Sequence, residues 1–93
     1  MTILNSSEDS IKDPAGTALS ALAWVLSDIV RAERFLALTG LTPDALRASV
    51  AEPAMHRAVL DFLCAHEPDL VAAADGLGVA PADLAALRGR LAS

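Results

Sequence analysis

Aromatic residues are scarce in this chain. Its 93 residues include one tryptophan, two phenylalanines and no tyrosine. Proteins that bind single-stranded nucleic acid stack the bases on aromatic side chains. So small a set argues against a base-stacking surface and against an aromatic platform for carbohydrate.

Positively charged residues are also few. Lys and Arg total 7 against 12 Asp and Glu, which gives a formal net charge of -5 at pH 7. Affinity for nucleic acid depends on Lys and Arg displacing counterions from the phosphates, and attraction to an anionic membrane depends on the same residues. We therefore expect no nucleic-acid partner and no membrane partner.

The single cysteine, Cys64, excludes a disulfide within the chain. A secreted domain this short usually needs disulfides, so the composition favours a reducing compartment, and we expect a cytoplasmic protein. A secretory signal begins with a basic segment that leads into an apolar one. Residues 1–13 do not show this pattern, so we expect no secretory signal there. Residues 14–27 are uncharged but fewer than the roughly 20 apolar residues that span a bilayer.

No segment alternates apolar and polar residues in the way that predicts a β-strand. Proline instead marks where helices begin, because its missing N–H would have no partner in the first turn and its φ angle already fits. Each proline precedes a stretch with helical periodicity: Pro14, Pro43, Pro53, Pro68 and Pro81. The pattern predicts an all-α fold, a single compact bundle of five or six short helices.

The same periodicity predicts the domain organisation. Residues 1–13 lack it and are predicted to form a flexible tail, while residues 14–93 form a single helical domain. The predicted helices cover residues 14–26, 29–39, 43–51 and 53–65, a short stretch after Pro68, and residues 81–91. The sequence leaves open whether the first two helices are continuous. One shared core is predicted from the apolar faces: Phe35, Leu36, Leu46, Phe62 and Leu84.

Two junctions between helices have nearly the same sequence. Gly40 and Gly78 are placed to end one helix, and Pro43 and Pro81 to begin the next, with Thr42 as the N-cap of the first junction. An apolar residue before each cap and a leucine at the fourth helical position have the spacing of a hydrophobic staple. We favour independent capping over an internal duplication, because helical repeat arrays need about three copies.

Residues 34–47, RFLALTGLTPDALR, and 58–70, AVLDFLCAHEPDL, resemble a small alphaproteobacterial family known as domain of unknown function 3572. The resemblance extends from about Ala18 to Leu91. In that family a proline often follows the acidic residue that opens the second helix, whereas Ile29 follows Asp28 here. The resemblance implies a bacterial, cytoplasmic, helical protein and brings no catalytic residue with it.

A helix-turn-helix is the sharpest alternative. Ala74, Gly78 and Leu84 have the spacing that marks the turn of such DNA-binding motifs. The second helix, however, begins with Asp83 in its first turn and has no Asn, Gln or Arg there to contact base edges. An ordinary corner between two helices explains the same spacing better.

Candidate ligands and catalytic groups are sparse. Cys64, His66, Glu67 and Asp69 lie close together in sequence, with His56 on the preceding helix, but their spacing does not match a zinc site. No glycine-rich phosphate loop and no nucleophile with a base is evident. We therefore predict no catalytic residue, no metal site and no cofactor, and thus no enzyme.

The remaining class is an interaction module. The first helix is apolar on more of its surface than a small core can cover, so we predict a partner-binding surface around Leu22, Trp24 and Val25. The partner would be another protein or a second copy of the chain. The helix-turn-helix remains the alternative, as a nucleic-acid-binding or regulatory protein.

Overall fold

The computed structural model describes residues 11–91, which form six α-helices joined by short turns. The helices are α1 (Pro14–Leu26), α2 (Ile29–Thr39), α3 (Pro43–Ala48), α4 (Pro53–Cys64), α5 (Glu67–Leu77) and α6 (Pro81–Arg90). The predicted all-helical class is confirmed. The main difference in bounds is α3, which ends at Ala48 instead of residue 51.

Helix starts follow local chemistry. Five of the six helices have proline in their first turn, and α2 is the exception. Three helices, α1, α2 and α3, have a side-chain cap. In these caps Asp13, Asp28 and Thr42 accept backbone N–H groups at 3.1, 2.9 and 3.0 Å. Each cap satisfies an amide that has no partner inside the helix.

The two predicted glycine stops are confirmed. Gly40 and Gly78 have φ angles of 74° and 75°, a left-handed conformation that L side chains rarely adopt. At the second stop, the Val79 N–H donates to the Ala74 carbonyl at 3.0 Å and the Gly78 N–H to Asp75 at 3.2 Å, which is the Schellman arrangement.

The helices α1 and α2 are separate. The chain bends by 115° between them, and α5 and α6 meet at 98°. The Asp28 carboxylate caps α2 through the Arg31 N–H, so the helix begins without the proline used elsewhere. Between residues 11 and 91 no single helix is long and apolar enough to cross a membrane, and only these two bent pairs would pass that test when joined.

The core lies around α1 and α4. α1 packs against α2, α4 and α5, and α4 also packs against α5 and α6. Of the predicted core residues, Phe35, Leu46, Phe62 and Leu84 are buried, and Leu36 is half-buried against them. Phe35 and Phe62 meet edge to face, with ring centroids 5.2 Å apart, a geometry that aromatic pairs favour.

Both ends of the described chain are anchored by arginine. Arg90 donates from Nη1 to the Ile11 carbonyl at 3.0 Å, and Arg57 donates to the Leu91 carbonyl at 3.1 Å. The Ile11 side chain is buried in the core. The described fold therefore includes Ile11, which the sequence assigned to the tail, while residues 1–10 of the predicted tail lie outside the described residues.

Candidate functional site

The predicted partner-binding residues of α1 do not form an exposed surface. Leu22 and Val25 are 2% and 0% exposed, in the core cluster. The expectation that they lie at the surface is wrong because α1 is packed against three other helices, which cover more of its circumference than a peripheral helix would bury. Only Trp24 of the three is half-buried.

Trp24 is held by contacts within the chain. The Arg31 guanidinium carbon lies 3.6 Å from the centroid of the indole, and Arg31 Nη2 donates to the Trp24 carbonyl at 2.6 Å and to Ser27 Oγ at 3.1 Å. Gly76 of α5 lies close by, where a Cβ would come within 3.2 Å of the ring. Trp24 thus joins the end of α1 to α2 and α5.

Exposed apolar surface does exist, at other positions. Six large apolar side chains are exposed in the described part of the chain: Leu19, Leu26, Ile29, Val30, Leu38 and Val71. Three of them, Leu26, Ile29 and Val30, lie at the bend between α1 and α2, where Ile29 and Val30 are 71% and 65% exposed. Half of the exposed large apolar side chains of the described residues therefore lie at this bend.

A groove opens beside that bend. It encloses about 340 Å³ between the end of α1, one face of α2, and α3 with the turn that follows it. We call it the corner groove, and its lining is almost wholly apolar: Leu26, Leu36, Pro43, Leu46, Arg47 and Val50. Ile29 lies two turns before Leu36 on the same face of α2 and extends the apolar surface.

Local interactions shape the wall of the corner groove. The Thr42 cap and Pro43 fix the start of α3, and Leu46 anchors it to the core. His56, one of the possible metal ligands named from the sequence, is buried, and its Nε2 lies 2.8 Å from the Val50 carbonyl. That hydrogen bond positions the turn that carries Val50 into the groove.

Charged residues flank the groove lining on α2 and α3. Arg47 in the lining donates from Nη1 to Asp44 at 2.7 Å, so its charge is already paired. Glu33 lies between Ile29 and Leu36 on the groove face of α2, and Asp28 immediately precedes Ile29. Asp28 caps α2 through the Arg31 N–H and Asp44 is paired with Arg47, which leaves the exposed Glu33 on this face without an ion pair among the described residues.

A polar cluster lies on a different side of α2. Asp69 Oδ2 accepts from Arg34 Nη2 and lies 3.0 Å from His66 Nδ1. The Arg34 guanidinium also lies over Phe62, 5.1 Å from the ring centroid. These contacts join α2 to α4 and α5. A carboxylate beside a histidine can orient a general base, but within residues 11–91 no hydrogen bond joins His66 to a hydroxyl or thiol.

His66 and Asp69 of this cluster are among the possible metal ligands named from the sequence. Among the described residues, no three His, Cys, Asp or Glu side chains come close enough to hold a metal ion. Of the residues considered from sequence, His56 is bound to the Val50 carbonyl, and Asp69 is bound to Arg34.

All six arginines make contacts within the chain. Arg31 covers Trp24, Arg57 and Arg90 bind backbone carbonyls, and the other three pair with carboxylates. Those pairs are Arg34 with Asp69, Arg47 with Asp44, and Arg88 with Asp61. Phosphate recognition needs free guanidinium or ammonium groups, so no basic patch forms on the described surface.

The α5–α6 corner has the shape of a helix-turn-helix without its chemistry. The two helices meet at 98°, Gly78 forms the turn, and Ala74 and Leu84 are buried beneath it. Arg88 and Arg90, the basic residues of α6, contact Asp61 and the Ile11 carbonyl. The spacing seen in the sequence is thus a packing pattern of this corner.

The comparisons place the chain without giving it an activity. A family model described as "Protein of unknown function (DUF3572)" matches residues 12–93. No curated protein and no solved structure matches the chain at a significant level.

Proposed function

Because the chain belongs to the DUF3572 family, whose description names no activity, we propose its function from its surface: it is a non-enzymatic protein-binding module. The observation that carries the proposal is the corner groove, with its apolar lining and the exposed Ile29 beside it. The occupant that we propose is an amphipathic helix of another protein. Such helices bind apolar grooves through residues spaced three and four apart.

Size favours a protein segment over a small molecule. A volume of about 340 Å³ is at the lower end of the range for small-molecule pockets. The apolar surface continues past the groove onto Ile29 and Val30 of α2, which a small ligand within the groove would leave uncovered. A helix lying along α2 would cover both the groove and these side chains.

The other candidate functions have weaker support. A hydrolytic or acid–base enzyme would need a nucleophile or substrate pocket beside His66, whereas Asp69 is bound to Arg34 and the pair joins helices. The helix-turn-helix alternative rests on the geometry of α5 and α6 alone. We place the module in the cytoplasm, on the grounds of its unpaired Cys64.

A photo-crosslinking experiment in cells tests the proposal. A benzophenone side chain at position 29, beside the corner groove, is compared with the same side chain at position 71, which is exposed on α5 and does not line the groove. We expect one discrete adduct with another protein from position 29 and none from position 71. Adding Leu26→Ser should remove that adduct, because it deletes apolar groove surface.

Two outcomes would contradict this function. Equal adducts from positions 29 and 71 would mean that crosslinking reports general surface contact and not the groove. An adduct of twice the mass of the chain would make the occupant a second copy instead of another protein.

A further inference from the structure

The balance of charge around the corner groove suggests the composition of its occupant. Glu33 lies on the groove face of α2 by its spacing from Leu36, Asp28 caps that helix, and Arg47 is paired with Asp44. No ion pair engages Glu33 in the part of the chain that the structure describes. The side chain is exposed and lies on the same face of α2 as Ile29 and Leu36.

The neighbouring cations of α2 are engaged elsewhere and do not neutralise Glu33. Arg34 is paired with Asp69, and Arg31, which keeps its charge because its partners are neutral, lies over Trp24 on the side of α2 away from Leu36. The lone lysine, Lys12, precedes the first turn of α1, whereas Leu26 of the groove is the last residue of that helix. Fourteen residues at about 1.5 Å rise put roughly 20 Å between them, beyond the screening length in physiological salt.

We propose that the helix bound by the corner groove carries lysine or arginine beside its apolar anchors, facing Glu33. This inference rests on the proposed function above and adds the charge of the partner to it. Complementary charge at the rim of an interface accelerates association and excludes like-charged partners. Binding should therefore weaken as salt is raised.

Three synthetic peptides serve as probes with the intact chain. All have the length of four helical turns; two carry leucines at spacings of three and four, flanked by lysines in one and by glutamates in the other. The third keeps the lysines but replaces the leucines with serine. We expect the leucine–lysine peptide to bind at least about tenfold more tightly than the leucine–glutamate peptide at low salt, as measured by fluorescence anisotropy.

Matched variants separate a local effect from net charge. Glu33→Gln should weaken the leucine–lysine peptide by about two- to fivefold, the range for an exposed ion pair. Asp75→Asn removes one negative charge from α5, which does not line the groove, and should leave the affinity unchanged. Equal weakening by both variants would overturn the inference, because the peptide would then be responding to the overall charge.

The remaining outcomes distinguish the inference from the function beneath it. If both leucine peptides bind equally and Leu26→Ser abolishes both, the groove binds a helix but the charge inference is wrong. If Leu26→Ser affects neither peptide, or the serine–lysine peptide binds as well as the leucine–lysine peptide, the groove is not the binding site and both proposals fail.

Discussion

The contact between Arg31 and Trp24 shows how the largest side chain of this domain is held within the chain. Arg31 makes three contacts there: its guanidinium lies over the indole, and its Nη2 donates to the Trp24 carbonyl and to Ser27 Oγ at the end of α1. Arg31 Nε is buried and makes no hydrogen bond among the described residues. This unpaired donor offsets part of the stabilisation that the other Arg31 contacts provide. The residue therefore stabilises the bend at the cost of one unpaired donor.

Arg31→Ala should lower the free energy of unfolding by about 1–2 kcal/mol, since it removes a cation–π contact and a charged hydrogen bond while relieving the unpaired Nε. It should also shift Trp24 emission to longer wavelength as water reaches the ring. Denaturant unfolding followed by fluorescence measures both. Arg47→Ala is the control, because its exposed pair with Asp44 should contribute under about 0.5 kcal/mol. Unchanged stability in Arg31→Ala would contradict the contact.

At the scale of the helices, the two glycine stops differ from other glycines in the chain. Gly78 requires a positive φ angle, whereas Gly89 lies inside α6 with open space where a Cβ would be. The same substitution should therefore have opposite effects at the two sites. Left-handed backbone is unfavourable for any residue with a Cβ, while glycine in a helix is less favourable than alanine.

Gly78→Ala should lower the free energy of unfolding by about 1–2 kcal/mol. Gly89→Ala should raise it by roughly 0.5 kcal/mol, because the position is near the helix end where propensity counts less. Thermal denaturation of the two variants beside the parent chain tests the pair. A neutral Gly78→Ala would mean that α5 does not end in the left-handed conformation at Gly78. A destabilised Gly89→Ala would mean that the end of α6 is not helical at Gly89.

What could be predicted from the sequence at this scale was the local part of the fold. Helix starts at proline and stops at Gly40 and Gly78 depend on neighbouring residues, so the pattern determines them directly. The exposure of α1 does not depend on neighbouring residues, because Leu22 and Val25 are buried by helices distant in sequence. The corner groove combines three segments, and His56 is buried through a bond to a turn. Neither has a sequence signature.

At the largest scale, charge favours the proposed protein-binding function over the helix-turn-helix alternative. The α5–α6 corner has helix-turn-helix geometry, but net charge is -5 and the arginines are engaged within the chain. Freeing any of them except Arg47, whose pair with Asp44 lies within α3, would break a contact that holds a chain end or joins two helices. Binding of a helix in the apolar corner groove, as proposed above, requires none of these contacts to break.

The chain should therefore show no sequence-dependent binding to duplex DNA at physiological salt. Nonspecific affinity typically lies between about 10⁻⁴ and 10⁻⁶ M even for proteins with basic surfaces, and repulsion should put this chain at or beyond the weak end. A pool of random duplexes, tested by anisotropy and by selection and sequencing, measures both affinity and preference. Arg88→Ala is the informative variant, since Arg88 is the α6 arginine that pairs with the exposed Asp61. Sub-micromolar affinity for an enriched sequence, lost in Arg88→Ala, would establish the helix-turn-helix alternative and displace the groove as the functional surface.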